Sequence, residues 1–459
     1  MTIPLRPAQA PPPRDEGPYR PFLFGSLALA IGGGFMLATL LPLAQTLEWG
    51  WGLHWFALAH AHGQLQLMGF AGLFVMGMSM RVAPRFTGRP LPCPAMARAT
   101  MPAVAASLIL RSLAEPANDS AVRDVALVAS AALLLAAAAA FASVMLRLLV
   151  HPDSRAQSSG WFLVLGVLAY AAGAVVNLLQ VIDVVRDGLP FAPLAREQSQ
   201  VFVQYYGFLL LFMGGIATRA IPTFTGRPRA DRACRVTAVA LAAGVAIVAC
   251  AGVWSSYADL SRHAAAVETR VEDAGFFITA MSLVSMAWLT GVFHPRANRV
   301  AAASQTPFLF VRASMAWLVG GGLLLAWYAA RGFIHEEPLD TFEIDAARHA
   351  LTVGVTTMMV IGFGLMIVPE FAGRRLQHPG ERPLLLAMLV ALNVATALRI
   401  WPAIEGVGWL ANTRYWPMAA AGGLAEAVIV VFALMFVQSY IEQRKPAWAS
   451  PEALAARAR

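Results

Sequence analysis

Charged side chains are scarce in this chain. They make up 13% of its 459 residues, against 58% hydrophobic residues and a mean hydropathy of +0.61. A soluble domain carries about 25% charge, so too little polar surface is present to cover a water-soluble fold of this size. Cysteine is nearly absent too. Cys93, Cys234 and Cys250 form no CxxC or CxxCH pattern, which argues against a zinc site, a disulfide framework and covalently attached c-type heme. The start of the chain, Pro7 to Tyr19, is proline-rich and charged. It lacks the layout of a cleavable signal and reads as a cytoplasmic tail over 1–20.

What is present is a succession of apolar runs of about 20 residues, each long enough to cross a hydrocarbon core of roughly 30 Å. About twelve such runs fall between residues 21 and 441, and a short basic tail follows over 442–459. The predicted class is an all-α polytopic membrane protein with about 12 transmembrane helices in one domain. The basic residues set its orientation. With the N-terminus inside, the even-to-odd connections hold Arg81, Arg85, Arg89 and Arg98, then Arg219, Arg227, Arg229 and Arg232, then Arg374 and Arg375. The opposite loops hold acids such as Glu268, Glu272, Asp273, Glu336 and Asp345. This split follows the positive-inside rule and predicts both termini on the cytoplasmic side of the membrane. The net charge of +8 is then a topology signal. It gives no reason to expect nucleic-acid binding, and membrane lipid is the expected surrounding.

Three of the runs close on a proline. Pro84 and Pro222 are 138 residues apart, and Pro222 and Pro369 are 147 apart. In that register Gly69, Gly207 and Gly354 match, as do Gly77, Gly215 and Gly362, then Phe86, Phe224 and Phe371, Gly88, Gly226 and Gly373, and Arg89, Arg227 and Arg374. Residue types recurring at fixed offsets mark internal repeats. They predict three four-helix units, over about 21–155, 156–299 and 300–441, around a pseudo-threefold axis. The plainer reading is three helices that share a packing motif of small residues.

Of nine histidines, His151, His294, His378, His263 and His335 fall in loops and read as solvated, and His54 lies just outside the second helix. His60 and His62 begin the second apolar helix, and His349 begins the tenth. Both helices run from outside to inside, so all three rings lie at a similar depth near the outer face. An ionisable group at that depth is costly and usually functional. Two apolar helices presenting imidazoles at one level suit a bis-histidine heme. His60 and His62 are about 200° apart on a helix, so only one faces a heme shared with His349. His62 and His349 are the predicted pair. Gly69, seven residues past His62, is predicted to leave room for the ring. His60 then packs by hydrogen bonding or ligates a second metal, copper being the candidate. Arg348 is placed to pair with a heme propionate or to cap its helix. In the second unit Gln198, Gln200, Gln204, Tyr205 and Tyr206 occupy this depth and read as polar glue between helices. The methionines along these helices read as gap-filling core.

Twelve helices in three units, with histidines on the second helix of a unit, resemble the catalytic subunit of heme–copper oxidases and nitric oxide reductases. Within that fold, His60-Ala61-His62, Gly69-Phe70, Pro84-Arg85-Phe86-Thr87-Gly88-Arg89 and Arg348-His349-Ala350-Leu351-Thr352-Val353-Gly354 resemble the NnrS family. Its members are membrane heme and copper proteins linked to nitric oxide stress and denitrification. The resemblance implies that His62 and His349 hold a low-spin heme. The active-site heme ligand of the wider pattern falls on Ala347, and Gln200 and Gln204 stand near where copper histidines are expected. The oxygen- or NO-reducing centre is therefore expected to be missing. Two stretches depart from the family pattern: Gly63-Gln64-Leu65-Gln66 after the histidines, and Glu370-Phe371-Ala372-Gly373 in the third unit.

These readings together predict a b-type heme protein in nitric-oxide-related redox chemistry or sensing, without terminal-reductase activity. Nitric oxide and an electron-donor protein or quinol are the candidate partners. One alternative is a twelve-helix transporter with a proton or solute path lined by histidine and glutamine. Glu426 is then the main acid within the membrane. Another is a heme-free assembly partner of a respiratory complex.

Overall fold

Inside a bilayer every backbone N–H and C=O must be satisfied within the protein, so long apolar segments fold as helices. The computed structural model bears this out. It describes residues 18–151, 159–228, 230–257, 262–294, 300, 304–372, 381–404 and 413–444. Among these, eleven helices are long and apolar enough to cross a membrane. In chain order they are α1 (Tyr19–Thr46), α2 (His54–Thr87), α4 (Ala121–Leu149), α5 (Ser159–Arg186), α6 (Arg196–Thr225), α7 (Asp231–Ser256), α8 (His263–Thr290), α9 (Gln305–His335), α10 (Thr341–Val368), α11 (Arg382–Ile404) and α12 (Tyr415–Ser439). A further helix, α3 (Pro94–Ala114), is less apolar, with Arg98 and Arg111 in its length. The chain is thus a multi-pass membrane protein of eleven to twelve spans. Gly373, Arg374, His378 and the predicted tails up to residue 17 and from residue 445 lie outside the described residues.

Three helices make the centre. The most apolar windows of α2, α6 and α10 are 89%, 94% and 83% buried, against 28–56% for the other spans. These helices carry the matched Gly69, Gly207 and Gly354 and the matched Gly77, Gly215 and Gly362, with Pro84 and Pro222 inside α2 and α6 and Pro369 directly after α10. Each widens into a π-helical turn at the matched place: Leu65–Gly72, Val203–Leu210 and Thr352–Thr357. The first two are offset by the same 138 residues as Pro84 and Pro222. The matched glycines make one contact three times over. A Cβ on Gly77 would lie 2.6 Å from Phe22 Cβ, one on Gly215 3.0 Å from Phe162 Cβ, and one on Gly362 3.1 Å from Phe310 Cβ. Each central helix therefore lies almost backbone to backbone against the helix that precedes it. Bare glycine at these points allows that approach.

The Thr-Gly-Arg segment ends two of these helices by one mechanism. Gly88 and Gly226 take the left-handed conformation, with φ of +73° and +67°. Gly88 N and Arg89 N donate to Pro84 O at 2.9 and 3.1 Å, and Arg227 N donates to Pro222 O at 2.8 Å. Thr87 and Thr225 hydroxyls donate back to Ala83 O and Ile221 O. A left-handed glycine satisfies the last carbonyls and stops the helix. At this end Arg219 of α6 lies over the Phe86 ring of α2, 4.3 Å from its centroid, where a guanidinium meets the negative face of the ring.

The ring of helices closes on itself. A Cβ on Gly422 of α12 would lie 2.6 Å from the Ala38 carbonyl of α1, so the last helix sits directly on the first. Between central helices, Tyr205 Oη of α6 and Thr356 Oγ1 of α10 are 3.1 Å apart. The histidines do not quite begin their helix as predicted. α2 starts at His54, whose ring bonds Pro116 O at 2.8 Å and ties α2 to the end of α3. His151, read as solvated, meets Arg89 Nη1 at 2.8 Å through Nδ1.

Candidate functional site

His62 projects from the first turns of α2 toward α1. Its Nδ1 lies 2.8 Å from Gly34 O, in a π-helical stretch of α1, Ala30–Gly34. A carbonyl only accepts, so Nδ1 carries the proton and donates it. On a neutral ring this leaves Nε2 with the bare lone pair.

His349 reaches the same state from another helix. Its Nδ1 lies 2.9 Å from Asp345 O and 3.0 Å from Asp345 Oδ1, one turn back on α10. Asp345 Oδ2 forms an ion pair with Arg399 Nη1 of α11 at 2.8 Å. Again Nδ1 is the donor and Nε2 is left to bind something else. The His62 ring lies within electrostatic range of His349, Arg399 and Asp345. The two rings are thus held by contacts from α1, α2, α10 and α11.

His60 faces the other way. Its Nδ1 lies 2.6 Å from Glu115 Oε1, just past the end of α3. Arg111 Nε donates to Glu115 Oε2 at 2.8 Å and Arg111 Nη1 to Asn177 Oδ1 of α5 at 3.0 Å. Gln200 Nε2 of α6 donates to the same Asn177 Oδ1 at 3.0 Å. All five side chains are buried. Burial pushes the Glu115 carboxyl up, but Arg111 and His60 more than offset it and hold it down to about 2. The About-200° separation of His60 from His62 is realised as two different surroundings. His60 Nε2 has no partner and is fully enclosed, as are Gln64 Nε2, Gln200 Oε1 and both polar atoms of the Gln204 amide.

Two predicted residues have other occupations. The sequence predicts that Gly69 clears space for a porphyrin. A Cβ there would instead lie 3.2 Å from Leu29 Cβ and 3.4 Å from Leu108 Cδ1, so its bare face is used in packing α2 on α1 and α3. Arg348 Nη2 donates to Gln198 Oε1 of α6, a neutral acceptor, while its charge also acts on the Asp345 carboxylate. Sequence reasoning passed over Arg399, Glu115, Arg111 and Asn177. A signal existed for two of them, since Arg111 and Arg399 each interrupt an apolar run and an ionisable residue there points to function.

The donor set fits a heme: two neutral imidazoles on different helices, each with Nδ1 fixed and Nε2 open. It fits a multi-ligand copper site less well. Among the described residues no group of three or more His, Cys, Asp or Glu could hold a metal ion.

The fold is similar to a known one. A heme-copper terminal oxidase dimer, solved by cryo-electron microscopy to give insights into its catalytic mechanism, superposes with a TM-score of 0.66 at 12% identity. The match covers 94% of this chain and 84% of that one. At that identity the likeness speaks for the fold alone. No curated protein matches the chain. The model of the NnrS family, described as NnrS protein, matches residues 17–444, nearly the whole length and all three central helices. The chain belongs to the NnrS family.

Proposed function

We propose that this NnrS-family protein is an integral membrane b-type heme protein in which His62 Nε2 and His349 Nε2 would hold the heme iron. The observation that carries the reading is the paired tautomer: two rings from separate helices, each with Nδ1 tied to an acceptor and Nε2 free. A bound heme would supply a one-electron ferric/ferrous couple and an iron that can bind a small gas such as nitric oxide. The chain's own residues orient the rings. Gly34 O and Asp345 fix their tautomers, and Arg348 and Arg399 place two cations near His349, where they suit propionates.

The heme lies toward the outer face if the arginine-rich connections face the cytoplasm, with both termini inside a bacterial inner membrane. The three units around a pseudo-threefold axis belong to the same reading, supported by the thrice-repeated glycine contact. Ala347, where an oxidase-like centre needs a histidine, and Gln200 and Gln204, near where its copper histidines are expected, support a role in nitric-oxide-related redox chemistry or sensing over terminal reduction. A quinol or an electron-donor protein is the proposed source of electrons. Copper has one candidate ligand outside the pair, His60 Nε2.

The test is a reduced-minus-oxidised absorption spectrum of the detergent-purified protein with iron and copper analysis of the same sample. Sharp bands of a low-spin b heme, lost in His349→Ala, are the expected result. Protein without heme from heme-replete cells overturns the reading. In that event the His60–Glu115–Arg111–Asn177–Gln200 network favours a second one, a transporter with a buried polar path between α2, α3, α5 and α6.

A further inference from the structure

The two proposed ligands are held by unequal acceptors. His62 Nδ1 meets only a neutral backbone carbonyl, Gly34 O. His349 Nδ1 meets a backbone carbonyl, Asp345 O at 2.9 Å, and also a carboxylate oxygen, Asp345 Oδ1 at 3.0 Å. The carbonyl alone already fixes the His349 tautomer, and it persists whatever side chain stands at 345. The carboxylate is therefore redundant for orientation. Bringing it and Arg399 together at this depth also carries a desolvation cost. What the carboxylate adds is charge. Accepting the Nδ1 proton, it draws that proton from the ring and raises the electron density at Nε2 more than a carbonyl does. Arg399 Nη1, 2.8 Å from Asp345 Oδ2, works against it by polarising the same carboxylate away from the ring. Arg348, the next cation along α10, is turned to Gln198.

We infer that Asp345 and Arg399 are opposed positioning residues that set the reduction potential of the heme through His349. Asp345 favours the ferric form and Arg399 favours the ferrous form. The inference rests on the paired-histidine reading above. The redox step is one electron passed from dithionite through mediators to convert ferric to ferrous iron, and it is reversed with ferricyanide.

The experiment is a potentiometric titration of the purified full-length, heme-loaded protein and its variants, with electron paramagnetic resonance of each ferric sample. Asp345→Asn keeps the backbone carbonyl and the side-chain shape. Its midpoint potential is expected to shift positive, and the largest g value to rise as donation from Nε2 weakens. Arg399→Gln is expected to shift the midpoint negative, while Arg399→Lys and Asp345→Glu stay near wild type. A purely structural role does not produce shifts of opposite sign. Unchanged midpoints in a heme-loaded pair, or shifts in the same direction, overturn the inference and leave the heme reading standing. A wild-type protein without heme overturns both. If Asp345→Asn does not load heme, the Arg399→Gln and Arg399→Lys comparison decides alone, and equal midpoints in those two overturn the inference.

Discussion

His60 and Glu115 are 55 residues apart in sequence and 2.6 Å apart between Nδ1 and Oε1. This contact joins the helix that carries the histidines to the end of the one after it, and through Arg111, Asn177 and Gln200 it extends to α5 and α6. A charged cluster this enclosed is held by mutual satisfaction, so removing one member strands the others.

Arg111→Leu is expected to destabilise the protein by about 3–5 kcal/mol, the usual cost of leaving a buried charge without its partner. The double variant Arg111→Leu with Glu115→Leu should lose less than Arg111→Leu alone. Thermal unfolding in detergent, run as a double-mutant cycle, checks this. Equal losses in single and double variants would mean that Glu115 does not depend on Arg111.

The Glu115 pair also has a pH signature. Its folded-state carboxyl is held down to about 2 from an ordinary value of 4.5. A depressed carboxylate contributes stability that is fully present above its unfolded pKa and lost as pH falls through the folded one. The stability difference between wild type and Glu115→Gln is thus expected to be flat at neutral pH. It should shrink between about 4.5 and 2. A difference that grew on acidification would reverse the sign of the coupling.

His60→Ala and His62→Ala should separate cleanly. His62→Ala is expected to abolish the bis-histidine spectrum, while His60→Ala keeps it, since His60 faces Glu115. If His60→Ala loses the heme and His62→Ala retains it, the pair is His60 with His349.

Gly77→Ala places a methyl 2.6 Å from Phe22 Cβ and 3.1 Å from Tyr19 O. Neither atom is the tip of a flexible side chain, so α1 must move, at about 1–3 kcal/mol. Gly63→Ala meets nothing within 4 Å and should gain up to about 1 kcal/mol of helix propensity. A thermal-shift comparison of the two apoproteins reads the contrast.

The sequence by itself determined the class and the centre of this protein. Scarce charge and recurrent apolar runs left only a helical bundle in lipid, because a bilayer offers the backbone no other partner. The proline-closed runs with their matched glycines marked α2, α6 and α10, since close packing needs small residues at a fixed place whatever surrounds them. The proposed pairing of His62 with His349 comes from a similar argument, since depth follows from position along a helix.

Azimuth and partners were decided only by the tertiary structure. Helical spacing shows that His60 and His62 point apart, but not that one meets Glu115 and the other Gly34. Those contacts depend on how α3 and α1 lie against α2. Gly69 could equally have faced a porphyrin or a neighbour, and the approach of Leu29 and Leu108 settled it. Asp345 looked like one acid in a loop-side cluster until α11 brought Arg399 beside it. The physical reason is common to all three. Local periodicity fixes which residues share a face, while what that face meets depends on helices tens to hundreds of residues away.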